Sequence, residues 1–251
     1  MSKPYEIWDN IAPKWDSNIT ETTNPLLAQY EKAEETKLFE IIKNKLLTGD
    51  VSIVEFGCGT GRVLCNIAGA ELDKGIGHKI RRFVGVDISK PMIDIAEKNA
   101  SRWGGLFEFV HADAQETGKI SEAIAENTAA IVFIPLNSIG IFLEKDRPGA
   151  INSMAKLAGS KGVLFVSVFN AVAFEKNAYE IYAPLTSMVG QFDRMALDGK
   201  TNTFRNGEYF SHWFLEDEIK TLVEENLNGT PLEGRKLNVQ KVGNVGILID
   251  I

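Results

Sequence analysis

The stretch VEFGCGTGRVL at residues 54–64 alternates three glycines, Gly57, Gly59 and Gly61, between one apolar run and the next. Glycine adopts backbone shapes closed to other residues and lets another group come close to the main chain. The β-branched run VSIVEF (51–56) reads as a strand, and the residues from Arg62 to Ala70 read as a helix. Strand, tight glycine turn and helix in that order open a parallel α/β sheet.

The alternation continues. RFVGVDI (82–88) is a second buried strand and SKPMIDIAEKNA (89–100) a helix, with Ser89 as N-cap and Pro91 in the first turn, where a missing N–H costs little. LFEFVHAD (106–113), AAIVFIPL (129–136) and GVLFVSVF (162–169) follow as strands, with helices over 117–128 and 148–158 between them. Ahead of the first strand, residues 28–47 set Ala33, Leu38, Ile41, Ile42 and Leu46 on one helical face. Strands this apolar are covered on both faces. The expected fold class is therefore α/β, a doubly wound and mostly parallel sheet of seven strands.

Beyond Asn170 the rhythm breaks. Residues 171–213 carry aromatics, with turn signals at Asp198-Gly199 and Asn206-Gly207, and predict an insertion over the C-terminal edge of the sheet. A helix over 214–226 and two strands, KLNVQKVG and NVGILIDI, close the chain. The turn between those two is so short that they pair antiparallel, giving the sheet an antiparallel final strand.

Composition sets the outer bounds. With 251 residues, 44% hydrophobic and 24% charged, the chain can bury a sizeable core as one domain. A formal net charge of −7 argues against a nucleic-acid partner held by bulk electrostatics. The basic cluster His78-Lys79-Ile80-Arg81-Arg82 is expected as solvated surface. Cys58 and Cys65 form neither CxxC nor a zinc spacing, so no metal is expected and a reducing, cytoplasmic setting fits. The start MSKPYEIWDNIAPKWD lacks an apolar signal core, and no apolar run nears about eighteen residues, so no membrane partner is expected.

In an open α/β sheet, ligands sit outside the carboxyl ends of the strands where the strand order reverses. A dinucleotide fingerprint requires GxGxxG, and Arg62 stands where its third glycine belongs, which ranks a dehydrogenase last. The spacing Glu55-x-Gly57-x-Gly59-x-Gly61 instead resembles motif I of the class I S-adenosylmethionine-dependent methyltransferases, whose loop passes close to the methionine and ribose of the cofactor. The resemblance covers roughly residues 50–170 and implies a Rossmann-like fold with S-adenosyl-L-methionine as cofactor. Asp87 ends the second strand 30 residues after Gly57, where a simple unit has roughly 20, and the surplus lies in ELDKGIGHKIRR. A carboxylate there can accept hydrogen bonds from both ribose hydroxyls.

By the same resemblance, Ile88 and Met92 offer apolar contact to the adenine, and Asp113 beside Ala114 is similar to the acidic residue aimed at its amino group. Pro135 and Leu136 at the end of the fourth strand complete the expected cofactor set. The segment YEIWDNIAPKWD resembles the family's N-terminal lid through Trp8, Asp9, Ala12, Trp15 and Asp16, with Trp15 closing on the methionine end. The implied organisation is a single domain over 1–251, a helical lid over 1–48 and a substrate cap over 171–213.

The sulfonium methyl is already activated, so its transfer is an in-line displacement that needs contact and exclusion of water. A neutral amine acceptor needs no strong base, whereas an alcohol benefits from one. The fourth strand ends in IPLNSIG and lacks the Asn/Asp-Pro-Pro-aromatic motif of the DNA-adenine and glutamine-type relatives. Its Asn137-Ser138 pair is similar to the Asn-Ser of glycine and sarcosine N-methyltransferases. The implied activity is methyl transfer to a small molecule, an amine or amino acid nitrogen first. O-methylation of a small acid or alcohol, a protein or RNA target, and a non-enzymatic cofactor-binding subunit are the alternatives. The expected assembly is a monomer or homodimer. Asn137, Tyr209 and His212 are the catalytic candidates, Arg194 and Arg205 are candidates for a substrate carboxylate, and Tyr182 is a weaker candidate.

Overall fold

Every residue of VSIVEF is shut off from solvent, and the run forms strand β1 (Val51–Phe56) near the middle of the main sheet. The computed structural model describes residues 6–20, 24–72 and 77–251. Strands β2 (Ile80–Asp87), β3 (Phe107–His111), β4 (Ala129–Ile134) and β5 (Val163–Phe169) join β1 in parallel pairs. Helices α1 (Glu6–Thr20) and α2 (Pro25–Leu46) precede β1. Helices α3 (Arg62–Leu72), α4 (Lys90–Ala100), α5 (Thr117–Ala123) and α6 (Arg147–Ala158) fill the crossovers.

After β5 come α7 (Phe174–Tyr182) and α8 (Thr186–Val189), then a separate antiparallel sheet of β6 (Leu197–Asp198), β7 (Thr203–Asn206) and β8 (Tyr209–His212). Helix α9 (Glu216–Asn226) leads to β9 (Asn238–Val242) and β10 (Gly246–Asp250). The seven-stranded order is β3-β2-β1-β4-β5-β10-β9, with β10 antiparallel to both neighbours. This is the doubly wound, Rossmann-like sheet expected from the sequence, with its antiparallel strand near one edge. From β1 the chain winds outward to β3, then crosses back to β4, so the order reverses between β1 and β4 and opens a crevice at their carboxyl ends.

Side chains alternate across the sheet, so each strand feeds two cores. Ile53, Phe83, Ile131 and Phe165 pack on one face with Ile42 of α2 and Leu64 of α3. Val54, Val84, Val132 and Val166 pack on the other with Met154 of α6 and Ile219 of α9. The capping logic holds at Ser89, whose side chain accepts from Met92 N–H.

The structure departs from the sequence expectations in four places. Helix α5 ends at Ala123 rather than running to 128, because Ala125 N–H bonds Ser52 Oγ and Asn127 turns the chain with a φ of 59°. On α2, Ala33 is only half-buried while Glu34 is buried on the packed stripe between Tyr30 and Leu38. The insertion has regular structure: the predicted turns at Asp198-Gly199 and Asn206-Gly207 fall between strands of the small sheet. In the basic cluster, Ile80 is buried as the first residue of β2, Arg81 pairs with Asp50 and Arg82 with Glu108. Among the described residues, no helix is long and apolar enough to cross a membrane.

Candidate active site

The crevice at the tips of β1 and β4 opens into a cavity of about 390 Å³. Its floor is the glycine loop. Gly57, Gly59 and Gly61 have φ of 64°, 52° and 76°, the left-handed region that glycine enters without strain. A Cβ on Gly57 would press on Ser138, and one on Gly59 would meet Trp15 Nε1 at 3.5 Å. The loop thus forms a narrow cradle between the β4 tip and α1. Gly61 has a different role: it lies outside the cavity wall, and a Cβ there would come within 3.1 Å of Ala96 and the Phe109 ring. The expectation that Gly61 touches the ligand is corrected to close packing of the loop on α4 and β3.

Asp87, Ile88 and Met92 line the next stretch of wall. Asp87 Oδ2 accepts Gly59 N–H at 2.8 Å and Oδ1 accepts Ser89 N–H at 2.9 Å. Burial pushes its carboxyl up, while those two N–H groups hold it down. Each carboxylate oxygen has a further lone pair to offer. Ser89 continues the chain by donating to Asp9 Oδ1 at 2.6 Å, which pins α1 over the crevice. Ile11 and Ala12 pack on Met92, so α1 is also held by an apolar contact. Trp8 and Trp15 project from it into the cavity, ring centroids 5.8 Å apart. Asp16 belongs to the same helix, but its side chain lies outside the described residues.

Asp113, Ala114 and Gln115 line the β3 side, where Asp113 Oδ1 accepts Gln115 N–H. Glu55, Glu31 and Arg62 line the side toward α2 and α3. Glu55 is 2% exposed and its Oε2 has no hydrogen-bond partner. Burial drives its carboxyl well above the usual range, against the pull of Arg62. Arg62 Nη2 lies 3.5 Å from Glu31 Oε1. Burial, then the carboxylates of Asp87 and Glu55, push the Cys58 thiol up, which leaves it a poor nucleophile.

Pro135, Leu136 and Asn137 come from the β4 tip. Asn137 is committed to protein partners: Nδ2 donates to Ser211 Oγ at 3.0 Å and to His212 O at 3.1 Å, and Oδ1 accepts Phe169 N–H at 3.0 Å. It therefore ties β4 to β5 and β8, and its amide is not free for an acceptor. Tyr209 of β8 faces the cavity, its ring 5.8 Å from Trp8 and 6.0 Å from Tyr182. His212 does not line the cavity. Its Nε2 pairs with Glu218 Oε1 at 2.6 Å and its Nδ1 with Thr203 Oγ1 at 3.2 Å, so the expectation of a histidine facing the acceptor is corrected. Arg194 and Arg205 are likewise absent from the wall, and Arg205 lies over the Phe210 ring.

Tyr182, ranked low from sequence, sits at the centre of a hydroxyl cluster. Its OH donates to Ser211 Oγ at 2.8 Å and accepts from Trp213 Nε1 at 3.1 Å. Tyr209 hydrogen-bonds with both Tyr182 and Ser211. Burial raises Tyr182 to about 12 and Tyr209 well above its ordinary value, so both stay protonated. Ser211 and Trp213 carried no signal beyond the aromatic run EYFSHWF.

The wall suits an adenosyl-methionine group by several independent features. The glycine cradle keeps a left-handed backbone that side chains strain, Asp87 offers spare lone pairs, and Glu55 Oε2 is a buried, orphaned oxygen that an ammonium would satisfy.

Residues 53–162 match the methyltransferase domain family. No curated protein matches the chain significantly. Among solved structures, magnesium protoporphyrin IX methyltransferase from Synechocystis PCC 6803, with bound S-adenosylhomocysteine, is 12% identical over 99% of this chain and 98% of its own, with a TM-score of 0.58. The Burkholderia thailandensis 1,6-didemethyltoxoflavin-N1-methyltransferase is 14% identical over 100% of this chain and 90% of its own, with a TM-score of 0.56. A methyltransferase from Methanosarcina mazei is 21% identical over 84% of this chain and 95% of its own, with a TM-score of 0.51. At these identities the likeness concerns the fold.

Proposed function

We propose, from the premise that this chain is a methyltransferase of the class I fold, that it moves the methyl of S-adenosylmethionine onto a nitrogen of a small, largely apolar amine. The cofactor, when bound, supplies an activated sulfonium methyl. The chain's own residues supply placement. Gly57 and Gly59 let the backbone close on the methionine and ribose, Asp87 accepts from the ribose hydroxyls, and Ile88 and Met92 face the adenine. Segment 1–48 serves as the lid through Trp8 and Trp15, and 171–213 as the acceptor cap through Tyr182, Tyr209 and Phe210.

The observation that carries the choice of acceptor is the Tyr182–Ser211–Tyr209 cluster. Trp213 and Asn137 can only donate to it, and each hydroxyl oxygen has two lone pairs. With the hydroxyls donating round the ring, Tyr182 is filled by Trp213 and Tyr209, and Ser211 by Tyr182 and Asn137. Tyr209 joins this cluster through Tyr182 and Ser211. It is also the member that lines the cavity next to Trp8, where its hydroxyl suits an acceptor that brings its own N–H.

Two phenols held neutral by burial are not bases. That fits a neutral amine, which attacks as it stands, better than an alcohol. The aromatic walls favour an apolar or planar amine over a zwitterionic amino acid of the glycine or sarcosine type. The Burkholderia enzyme is named as an N1-methyltransferase, and a nitrogen acceptor fits these walls.

Incubation with methyl-labelled cofactor and a panel of aromatic amines, amino acids, phenols and carboxylic acids tests the reading. Label in the amines is the expected result. Label confined to phenols or acids, or tight S-adenosylhomocysteine binding with no product in any class, would overturn it.

A further inference from the structure

We propose that Glu34 is a positioning residue for the acceptor side of the cavity, its buried carboxyl holding the Leu136–Asn137 turn in the left-handed shape that lines the wall. The observations come from three elements. Glu34 sits on α2, is 5% exposed, and its Oε1 accepts Leu136 N–H at 2.8 Å. Ser167 of β5 donates to the same oxygen, and Tyr30 OH donates to Ser167 Oγ at 2.9 Å. Leu136 and Asn137 have φ of 53° and 58°, two consecutive non-glycine residues in a region that costs an L side chain about 1–2 kcal/mol. Asparagine tolerates that region, but leucine has no local hydrogen bond to offset it.

The turn is clamped from both ends. Asn137 is tied to Phe169, Ser211 and His212 through its own side chain. Leu136 is tied to α2 by Glu34 alone among the side-chain bonds of the described residues. Both turn residues line the cavity beside Tyr209 and Phe169. A carboxylate is the strongest acceptor available for that N–H, and protonation weakens it as an acceptor.

The clamp is therefore sensitive to protonation. Burial raises the Glu34 carboxyl to about 7, with Glu31 on the same helix pushing it further up. The Ser167 hydroxyl, Leu136 N–H and Arg62 of α3 pull it down. Glu55 of β1 and Tyr30 are the remaining titratable groups that feel its charge. Near neutrality Glu34 changes charge, and the hold on Leu136 strengthens as it ionises.

This rests on the methyl-transfer reading only for what the turn positions, so the deciding measurement needs no activity. The amide resonance of Leu136 is followed in ligand-free protein from about pH 5 to about pH 9, a range that brackets the ordinary carboxyl and histidine values. In wild type it is expected to shift with a midpoint near 7. Glu34→Gln keeps the shape and an acceptor oxygen, so it should fold and give a pH-independent Leu136 resonance. Where turnover is measured, the wild-type profile should show a limb with the same midpoint that Glu34→Gln removes. A wild-type Leu136 resonance that does not titrate, or one that titrates unchanged in Glu34→Gln, would overturn the proposal. Failure of every acceptor to be methylated would leave the resonance test standing, so the two readings fail separately.

Discussion

The two halves of the cavity are built by different means. On the cofactor half, at the tips of β1, β2 and β3, the wall is mostly loop backbone gathered on one carboxylate: Asp87 accepts Gly59 N–H from the β1 loop and, two residues on, Ser89 N–H. On the acceptor half, at the tips of β4 and β5 and under the insertion, it is a web of side chains far apart in the chain. Asn137 reaches Ser211, Glu34 reaches Leu136, and Tyr30 reaches Ser167. The first half reuses a local rule that recurs at each strand end. The second depends on three segments arriving together. A substitution in the acceptor half should therefore spread through its partners, while one in the cofactor half should stay local.

Four measurements would break or sharpen that contrast. The largest effect is expected at Trp213, fully buried against Phe169 and Tyr182, with ring centroids 4.7 and 6.3 Å away. Trp213→Ala should cost about 3–5 kcal/mol in denaturant unfolding and take the acceptor half with it. A loss below about 1 kcal/mol, the ordinary effect of a substitution, would mean that the web is not cooperative.

Next comes the pH dependence of stability. The Glu34 carboxyl stands at about 7 in the folded protein against an ordinary 4.5. Between those values the folded state keeps a proton that the unfolded state has lost, so stability falls as pH rises. The gap amounts to about 3 kcal/mol, absent below the lower value and fully present above the upper one. Glu34→Gln should thus gain stability over wild type in mild alkali and lose that advantage in acid. Equal stability of the two proteins at both extremes would remove Glu34 from the account.

On the cofactor half, Asp87→Ala should weaken S-adenosylhomocysteine binding by about 2 kcal/mol or more, measured by calorimetry, since it strips charge-assisted hydrogen bonds. Unchanged affinity would count against its assigned partner. The smallest effect belongs to Tyr209→Phe, which deletes one hydroxyl from the cluster with Tyr182 and Ser211. It should cost about 1 kcal/mol in acceptor binding, seen as a several-fold rise in acceptor KM, with cofactor affinity unaltered. Equal losses for cofactor and acceptor would show that the halves are not separable.

Legibility followed the same division. The strand runs, the Ser89 cap and the places of Gly57, Gly59 and Asp87 at the strand tips, where they line the cavity, could be read in order, because each rests on a strand end or a turn. Gly61 was placed on the right loop but given the wrong neighbour, since only the packing of α4 and β3 shows what its missing side chain makes room for. His212 and Tyr182 exchanged importance. A histidine draws attention by its chemistry, yet here Glu218 and Thr203 hold its ring, while the plainer tyrosine anchors the hydroxyl cluster. Glu34 gave no warning, because one charged residue on an amphipathic stripe looks like a boundary position until its partners are seen.

The sequence by itself determined the layered α/β sheet and the crevice at the β1 and β4 tips, with the glycine loop as its floor. Those follow from backbone freedom and hydrophobic period, both properties of neighbouring residues. Only the tertiary structure decided which residues line the other half of the cavity, because that wall is assembled by side chains from α2, β4, β5 and β8. Their meeting depends on strand order and on how the insertion folds back, and neither is a property of any short stretch of chain.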